Sequence, residues 1–361
     1  MPLPAHSTVA SFLMGTAAAA IQPCLHAEVM QVYWTVPMGH SILRVNADGT
    51  GVGTIQISPT GDPTAVAFDE ANGSMYWLAA NINGLDRIYM ASIDGGSIAS
   101  VTTIATALHG LGSDIELDLD AGKIYWCVWS GQSPAGGAIY RCNLDGSGEE
   151  TIVTGLDRPT RMVLDPANDT VYWTDSGNWL IQRASTLGTN LGVTTIIGNP
   201  VSPEGLAIDF TTQFVYWTEF NTGSIKRASL GGNGVDIEVL VSESDGAGPP
   251  RDLGVDFEAG AMYWTDPVHS KIRTSNIAGG SISSLASPAS LCVGIALRFA
   301  PQPPACDADF DRSGEVDGAD LALLLGSWGV RGASAWDLTG DGMVDAADLA
   351  SLLGAWGGCT G

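Results

Sequence analysis

Residues 306–361 carry ten Asp or Glu side chains against two Arg, a composition that suits cations. Within them, two twelve-residue loops start 28 residues apart, each with oxygen-bearing side chains at positions one, three, five, nine and twelve and glycine at six. In the first loop these are Asp309, Asp311, Ser313, Asp317 and Asp320, with Gly314 at six. In the second they are Asp337, Thr339, Asp341, Asp345 and Asp348, with Gly342 at six. Calcium takes about six to eight hard oxygen ligands, and the glycine allows the sharp turn that wraps a loop around one ion. Position seven supplies only a backbone carbonyl, so Glu315 and Met343 are equally acceptable there. The pattern predicts two calcium ions, each held less tightly than by a fully acidic loop because Ser313 and Thr339 are neutral.

The elements that must hold these ligands are short helices. Asp320 opens Leu321-Ala322-Leu323-Leu324-Leu325, and Asp348 opens Leu349-Ala350-Ser351-Leu352-Leu353. Trp328 and Trp356 follow the helices at equivalent places and are expected to pack a small core. Cys306 and Cys359 bracket the segment and are expected to bond. Pro301, Pro303 and Pro304 mark a stiff linker over 301–305. Aspartate at position twelve, with a helix only after each loop, resembles the type I dockerin. That resemblance implies an all-α module over 306–361 that plugs into a cohesin-like domain. Positions ten and eleven, often Ser-Thr in cellulosomal dockerins, are Gly318-Ala319 and Ala346-Ala347 here, which points instead to another receptor or to self-association.

The rest of the chain is dominated by a repeat. Tyr-Trp pairs begin at Tyr33, Tyr76, Tyr125, Tyr172, Tyr216 and Tyr263, at intervals of 43, 49, 47, 44 and 47 residues. A unit of that length suits one four-stranded propeller blade. Each unit reads as an apolar strand ending in Asp, the Tyr-Trp strand, a strand with a basic residue, a glycine-rich turn and a Thr/Ile/Val strand. Asp-Gly pairs such as Asp48-Gly49 are hairpin signals because they accept positive φ. Tyr172-Trp173-Thr174-Asp175 and Tyr263-Trp264-Thr265-Asp266 are similar to the YWTD, or class B, repeats of the low-density-lipoprotein receptor family, and Tyr216-Trp217-Thr218-Glu219 nearly so. The resemblance implies an all-β six-bladed β-propeller over 28–300, with the motif as packing in each second strand. The first unit lacks its leading strand, and residues 293–297 (Val-Gly-Ile-Ala-Leu) read as that strand, returning to close the ring.

Acidic residues outnumber basic ones 39 to 15, and such a surface repels phosphate backbones, so nucleic acid is excluded as a partner. Residues 1–27 read as an export signal, with an apolar stretch over 9–21 and Leu25-His26-Ala27 as a cleavage site, although no Lys or Arg precedes it. Nothing later reaches the ~20 apolar residues of a membrane span. The chain is therefore expected to be secreted or extracellular, with or without attachment to a cell surface. Cys127 and Cys142 sit on two arms of one hairpin and are expected to bond. The rival reading is inert buried thiols, and Cys292 is read that way.

Function has to be argued from a site, not from the fold. Five scattered histidines, no Gly-x-Ser-x-Gly elbow and no phosphate loop give catalysis little material. Asp69, Asp165, Asp209 and Asp256 recur once per unit and belong to the repeat. Glu204, Asp114 and Glu116 break it and are the carboxylates an enzyme of the lactonase or polysaccharide-lyase kind would draw on. Trp129 and Trp179 also break it and are candidates for exposed ligand contacts. The favoured reading is a non-catalytic binding protein whose propeller face grips a protein or glycan. A tethered enzyme and an architectural envelope component are the alternatives.

Overall fold

The computed structural model describes residues 29–57, 61–80, 86–94, 97–98, 100–106, 108–131, 135–231, 234–288, 291–299, 308, 310, 315–330, 336, 338–339 and 343–358. The expected export signal and linker lie outside these residues. The chain divides into two compact units, one of which is Ala27–Pro301, while Gln302–Gly361 belong to the other.

The first unit is a six-bladed β-propeller of antiparallel sheets. In blade 4, Pro159–Asp165 lies innermost, followed outward by Thr170–Asp175, Leu180–Ser185 and Thr194–Gly198. The inner strands of blades 2, 3, 5 and 6 are Asp62–Asp69, Leu111–Asp118, Pro203–Asp209 and Leu253–Asp256. Blade 1 takes its inner strand from the far end of the unit. Ile295–Phe299 pairs with Val29–Val36, placing Trp34 opposite Ile295 and Tyr33 opposite Ala296. The closing strand thus starts two residues later than the apolar pattern indicated.

The six Tyr-Trp pairs build six cores. Adjacent residues of a strand face opposite sides, so Tyr points toward one neighbouring blade and Trp toward the other. Tyr33 packs with Trp77, Tyr76 with Trp126, Tyr125 with Trp173, Tyr172 with Trp217, Tyr216 with Trp264, and Tyr263 returns to Trp34. All six indoles are fully buried.

The threonine after each pair joins the blades by hydrogen bonds. Thr174 Oγ1 accepts from its own blade at Arg161 N (3.1 Å) and donates to Glu204 O in the next (2.7 Å). Thr218 accepts from Gly205 N (2.7 Å) and donates to Arg251 O (3.0 Å), and Thr265 accepts from Asp252 N (3.0 Å) and donates to Val293 O (3.0 Å). Thr35 carries the pattern from blade 1 to blade 2 through Gly294 N (2.8 Å) and Thr64 O (3.3 Å). Bulges in the inner strands at Thr160 and between Pro203 and Leu206 leave the room for this hydroxyl, and bulges at Thr64 and Ser113 recur in blades 2 and 3. Two blades depart. Leu78 replaces the threonine in blade 2 and packs onto Gly112, where an added Cβ would stand 2.3 Å from Leu78 Cδ2. Cys127 replaces it in blade 3, and Ser113 Oγ supplies the bond to Pro159 O instead (2.6 Å).

This register corrects the expected Cys127–Cys142 disulfide. Cys127 stands opposite Ile139, and Cys142 opposite Ile124, three residues along the hairpin. The two thiols face opposite sides of the sheet, Cys127 in the core shared with blade 4 and Cys142 in the core shared with blade 2. Cys127, Cys142 and Cys292 are all free and buried. Burial pushes their thiols up to about 12, 11 and 11, so none is a competent nucleophile at neutral pH.

In the second unit, helices Gly318–Gly326 and Ala346–Gly354 pack around Ala308, Val316, Leu324, Val344 and Leu352. The expected all-α module needs amending, because Glu315–Val316 pairs with Gly357–Gly358 as a short antiparallel ladder. Trp328 and Trp356 do not fill the core: they are 46% and 49% exposed. The aromatic contact there is made by Phe310 and Trp336, edge to face at 4.7 Å.

Replacing Thr265 by Val removes the bond that closes blade 6 onto blade 1 and strands two buried backbone groups. T265V should cost about 1–3 kcal/mol in denaturant unfolding, and T265S should recover most of it. An unchanged midpoint for T265V would show that the hydroxyl does not hold the ring.

Candidate functional site

The side chains with free reach gather on the face where the inner strands begin, and the last residue of the YWTD motif positions them. Asp175 is fully buried and accepts from Asp157 N (3.1 Å) and Arg158 N (3.0 Å), which fixes the segment entering blade 4. It also accepts from Asn178 N (3.2 Å) and Nδ2 (2.8 Å), shaping the turn that presents Trp179 at φ 58°. One carboxylate thus presents both Arg158 and Trp179, the latter 46% exposed.

Arg158 then organises the mouth of the channel. Its Nε donates to Ser176 Oγ (2.9 Å), its Nη2 donates to Glu204 Oε1 (3.1 Å), and its guanidinium lies 5.8 Å from the Trp129 ring centroid. Arg251 approaches the same carboxylate from blade 6, with Nε 3.7 Å from Glu204 Oε2. Burial lowers the Arg251 pKa, and Glu204 opposes that shift. Arg158, Ser176, Trp179, Ser202, Glu204 and Arg251 line an open cavity of about 390 Å³. Trp129 lines a second of about 240 Å³ that shares Glu204 and Arg251. In a chain of net charge −24 this mouth holds two arginines against one carboxylate, so it favours an anionic group flanked by aromatic surface.

Deeper in, Arg161 spans the channel. Its Nε lies 2.7 Å from Asp252 Oδ1, its Nη1 donates to Ser113 O (2.6 Å), and Asp114 Oδ1 is 4.0 Å away. Asp114 Oδ2 accepts from Met162 N (2.7 Å), and Asp252 Oδ2 accepts from Ile295 N (2.6 Å). These carboxylates are joints between inner strands. Burial pushes Asp114 up to about 7, against the pull of Arg161 and with Asp252 adding to the rise. Burial, then Asp114 and Asp252, push Glu116 well above the usual carboxylate range.

Of the predicted calcium ligands, Asp309, Asp311, Ser313, Asp337, Asp341 and the side chain of Glu315 lie outside the described residues, as do Cys306 and Cys359. Asp317 and Asp345 are helix N-caps, accepting from Ala319 N (2.7 Å) and Ala347 N (2.8 Å). Asp320 and Asp348 complete the capping boxes and are fully buried. Asp320 accepts from Phe310 N (2.7 Å) and Asp317 N (2.9 Å). Asp348 accepts from Thr339 N (3.0 Å), Thr339 Oγ1 (3.1 Å) and Asp345 N (2.8 Å). Met343 is half-buried. Arg158 and Arg251 were not apparent as site residues in the sequence. Their signal is an arginine just ahead of an inner strand, in Asp157-Arg158-Pro159 and Pro250-Arg251-Asp252.

Fold and motif together define a six-bladed propeller with YWTD, or class B, repeats. A profile of the low-density lipoprotein receptor repeat class B matches residues 169–210, which cover the outer three strands of blade 4 and the inner strand of blade 5. The chain is 30% identical over 118 residues to low-density lipoprotein receptor-related protein 1 of Pyricularia oryzae, covering 31% of this chain and 37% of that one. It is 28% identical over 158 residues to human low-density lipoprotein receptor-related protein 5-like protein, covering 43% and 58%. The chain therefore spans less than two thirds of these relatives. Among solved structures, a chain of a nidogen/laminin complex superposes with TM-score 0.63 at 22% identity, covering 75% of this chain and 98% of that one. A luciferin-regenerating enzyme superposes with TM-score 0.54 at 12% identity, covering 68% and 82%. At these identities the likeness concerns the fold. Among the described residues no helix is long and apolar enough to cross a membrane.

The raised Asp114 carboxyl has a testable sign. Unfolded, it titrates near about 3.9, so between about pH 4 and about pH 7 the folded chain keeps a proton that the unfolded chain has released. That contribution is full below about pH 4 and is lost as pH rises toward about 7. Wild type should therefore lose stability relative to D114N across this range in urea titrations. Parallel curves for the two proteins would contradict the shift.

Proposed function

We propose that this is a secreted, non-catalytic binding protein. Its propeller grips an acidic segment of another protein through Arg158, Arg251, Trp129 and Trp179, and its C-terminal unit attaches it to an extracellular assembly. The observation that carries the reading is the Arg158–Glu204–Arg251 cluster at an open mouth with Trp129 and Trp179 beside it. Glu204 holds both guanidinium groups in place, and a partner carboxylate would meet them there. The structure of a propeller within a nidogen/laminin complex makes a protein partner reasonable for this architecture.

The C-terminal unit is read as calcium-dependent. Asp309, Asp311, Ser313, Asp317 and Asp320 with the Glu315 carbonyl would hold one ion, and Asp337, Thr339, Asp341, Asp345 and Asp348 with the Met343 carbonyl a second. The donor set fits: Asp320 and Asp348 are buried and each accepts from backbone N–H groups, and at Asp348 the hydrogen bond from Asp345 N holds the carboxyl below its usual range. Calcium would supply charge neutralisation that lets each acidic loop close. Leu325, Trp328, Leu353 and Trp356 sit at equivalent places in the two repeats and are 46–51% exposed, which suits a cohesin-like or other receptor domain.

Two manipulations separate the halves. In pull-downs from the native extracellular fraction, R158A/R251A should lose at least about tenfold of one set of partners whether or not a chelator is present. Chelator, or D320A/D348A, should release a different set. Identical capture by the arginine variant and wild type would remove the propeller reading. Calorimetry with calcium checks the other half: wild type should bind two ions and D320A/D348A none, and no binding by wild type would end the calcium reading.

A further inference from the structure

The channel has a second mouth, on the face where the inner strands end, and no part of the proposed protein-binding role uses it. A cavity of about 460 Å³ opens there, within the range of small-molecule sites. Its wall is apolar, with Phe68, Leu119, Val163, Ile208, Phe257 and Phe299 contributed one from each of the six blades. Its floor and rim are acidic: Glu70, Asp114, Glu116 and Asp252 all line it. Glu70 is matched by Arg298 (2.8 Å) and Asp252 by Arg161 (2.7 Å). Asp114 Oδ2 is held by Met162 N, and the cation nearest it is the distant edge of Arg161, at 4.0 Å. Glu116, two residues along the same strand and so on the same side, makes no hydrogen bond or ion pair among the described residues. Oε1 of Glu70 is buried and has no hydrogen-bond partner there either.

Apolar walls around an excess of two carboxylates are a poor place for an anion and an incomplete one for a neutral hydrocarbon. We propose that this cavity binds a small apolar amine in its ammonium form, with the charged nitrogen on Asp114 and Glu116 and the hydrocarbon against Phe68, Phe257 and Phe299. An ammonium supplies the missing positive charge and up to three hydrogen-bond donors, while its hydrocarbon covers the wall. Burial is the main cause of the raised Glu116 carboxyl, with Asp114 and Asp252 adding to it, and an ammonium placed on the pair would draw both carboxyls toward the ionised form. Arg161 closes the floor, so the site is reached from this mouth and is independent of Arg158 and Arg251.

Titration calorimetry on the full chain in millimolar calcium tests this, with 2-phenylethylamine as probe and 2-phenylethanol as its neutral counterpart of equal shape. The amine should bind saturably at one site, and the alcohol at least about tenfold more weakly. E116Q removes an unpaired carboxylate and should leave thermal unfolding intact. It should weaken the amine about tenfold without changing the alcohol. F257A should weaken both. Equal affinities for amine and alcohol would show a merely apolar crevice and overturn the proposal. Amine binding unchanged by E116Q, no saturable amine binding, or complete displacement by millimolar magnesium would do the same.

Discussion

In an extended strand, successive side chains must face opposite ways, and this propeller turns that constraint into its assembly rule. Tyr and Thr of each motif face the next blade, and Trp and Asp face the previous one. A single strand therefore contributes to two cores, and the threonine hydroxyl locks onto the inner strand of the following sheet. The bulges opposite Thr174 and Thr218 and the small residue at Gly294 follow from that hydroxyl and the space it takes. Where the hydroxyl is missing, another device holds the joint: Leu78 against Gly112 in one blade, Ser113 bonded to Pro159 in another.

The acid at the end of the motif links this framework to the side chains at the channel mouth. In blade 5, Glu219 takes Lys226 at 2.8 Å, and in blade 6, Asp266 takes His269 and Arg273, so those carboxylates are spent on their own hairpins. Asp175 instead holds backbone N–H groups on both sides of itself. The arginine and tryptophan it presents are thereby free to face outward. An acidic residue at the same repeat position thus serves its own hairpin in two blades and orients an arginine and an exposed tryptophan in a third.

Much of this was legible in the sequence, because a strand that must feed two cores leaves an adjacent aromatic pair at every blade. The missing first strand was legible too, since an unpaired inner position has to be filled from elsewhere in the chain. Glu204, Asp114 and Glu116 stood out because they break the repeat, and they do line the channel. The cysteine pairing misled because hairpin membership says nothing of side. Cys127 follows Tyr125 by two residues and so shares its face, whereas Cys142 lies across from Ile124 on the other face. Arg158 and Arg251 escaped notice because they stand in connections, where no periodicity marks a position. Trp328 and Trp356 were expected inside because they follow the two helices at equivalent places, but both stand past the helix ends, and the core is held by Leu324 and Leu352 on the helices with Val316 and Val344.

The return of Ile295–Phe299 to Val29–Val36 gives the order of events during synthesis a physical meaning. The bond from Gly294 N to Thr35 Oγ1 joins residues 259 positions apart. Until the last of this segment has left the ribosome, the first blade lacks its inner strand and Val29–Val36 presents a bare hydrogen-bonding edge. A chain cut short between Asp256 and Ile295 keeps five inner strands and one sticky edge, the signature that chaperones and proteases act on. Since residues 306–361 are made only afterwards, any chain that carries the whole C-terminal unit has already carried residues 295–299 past the ribosome.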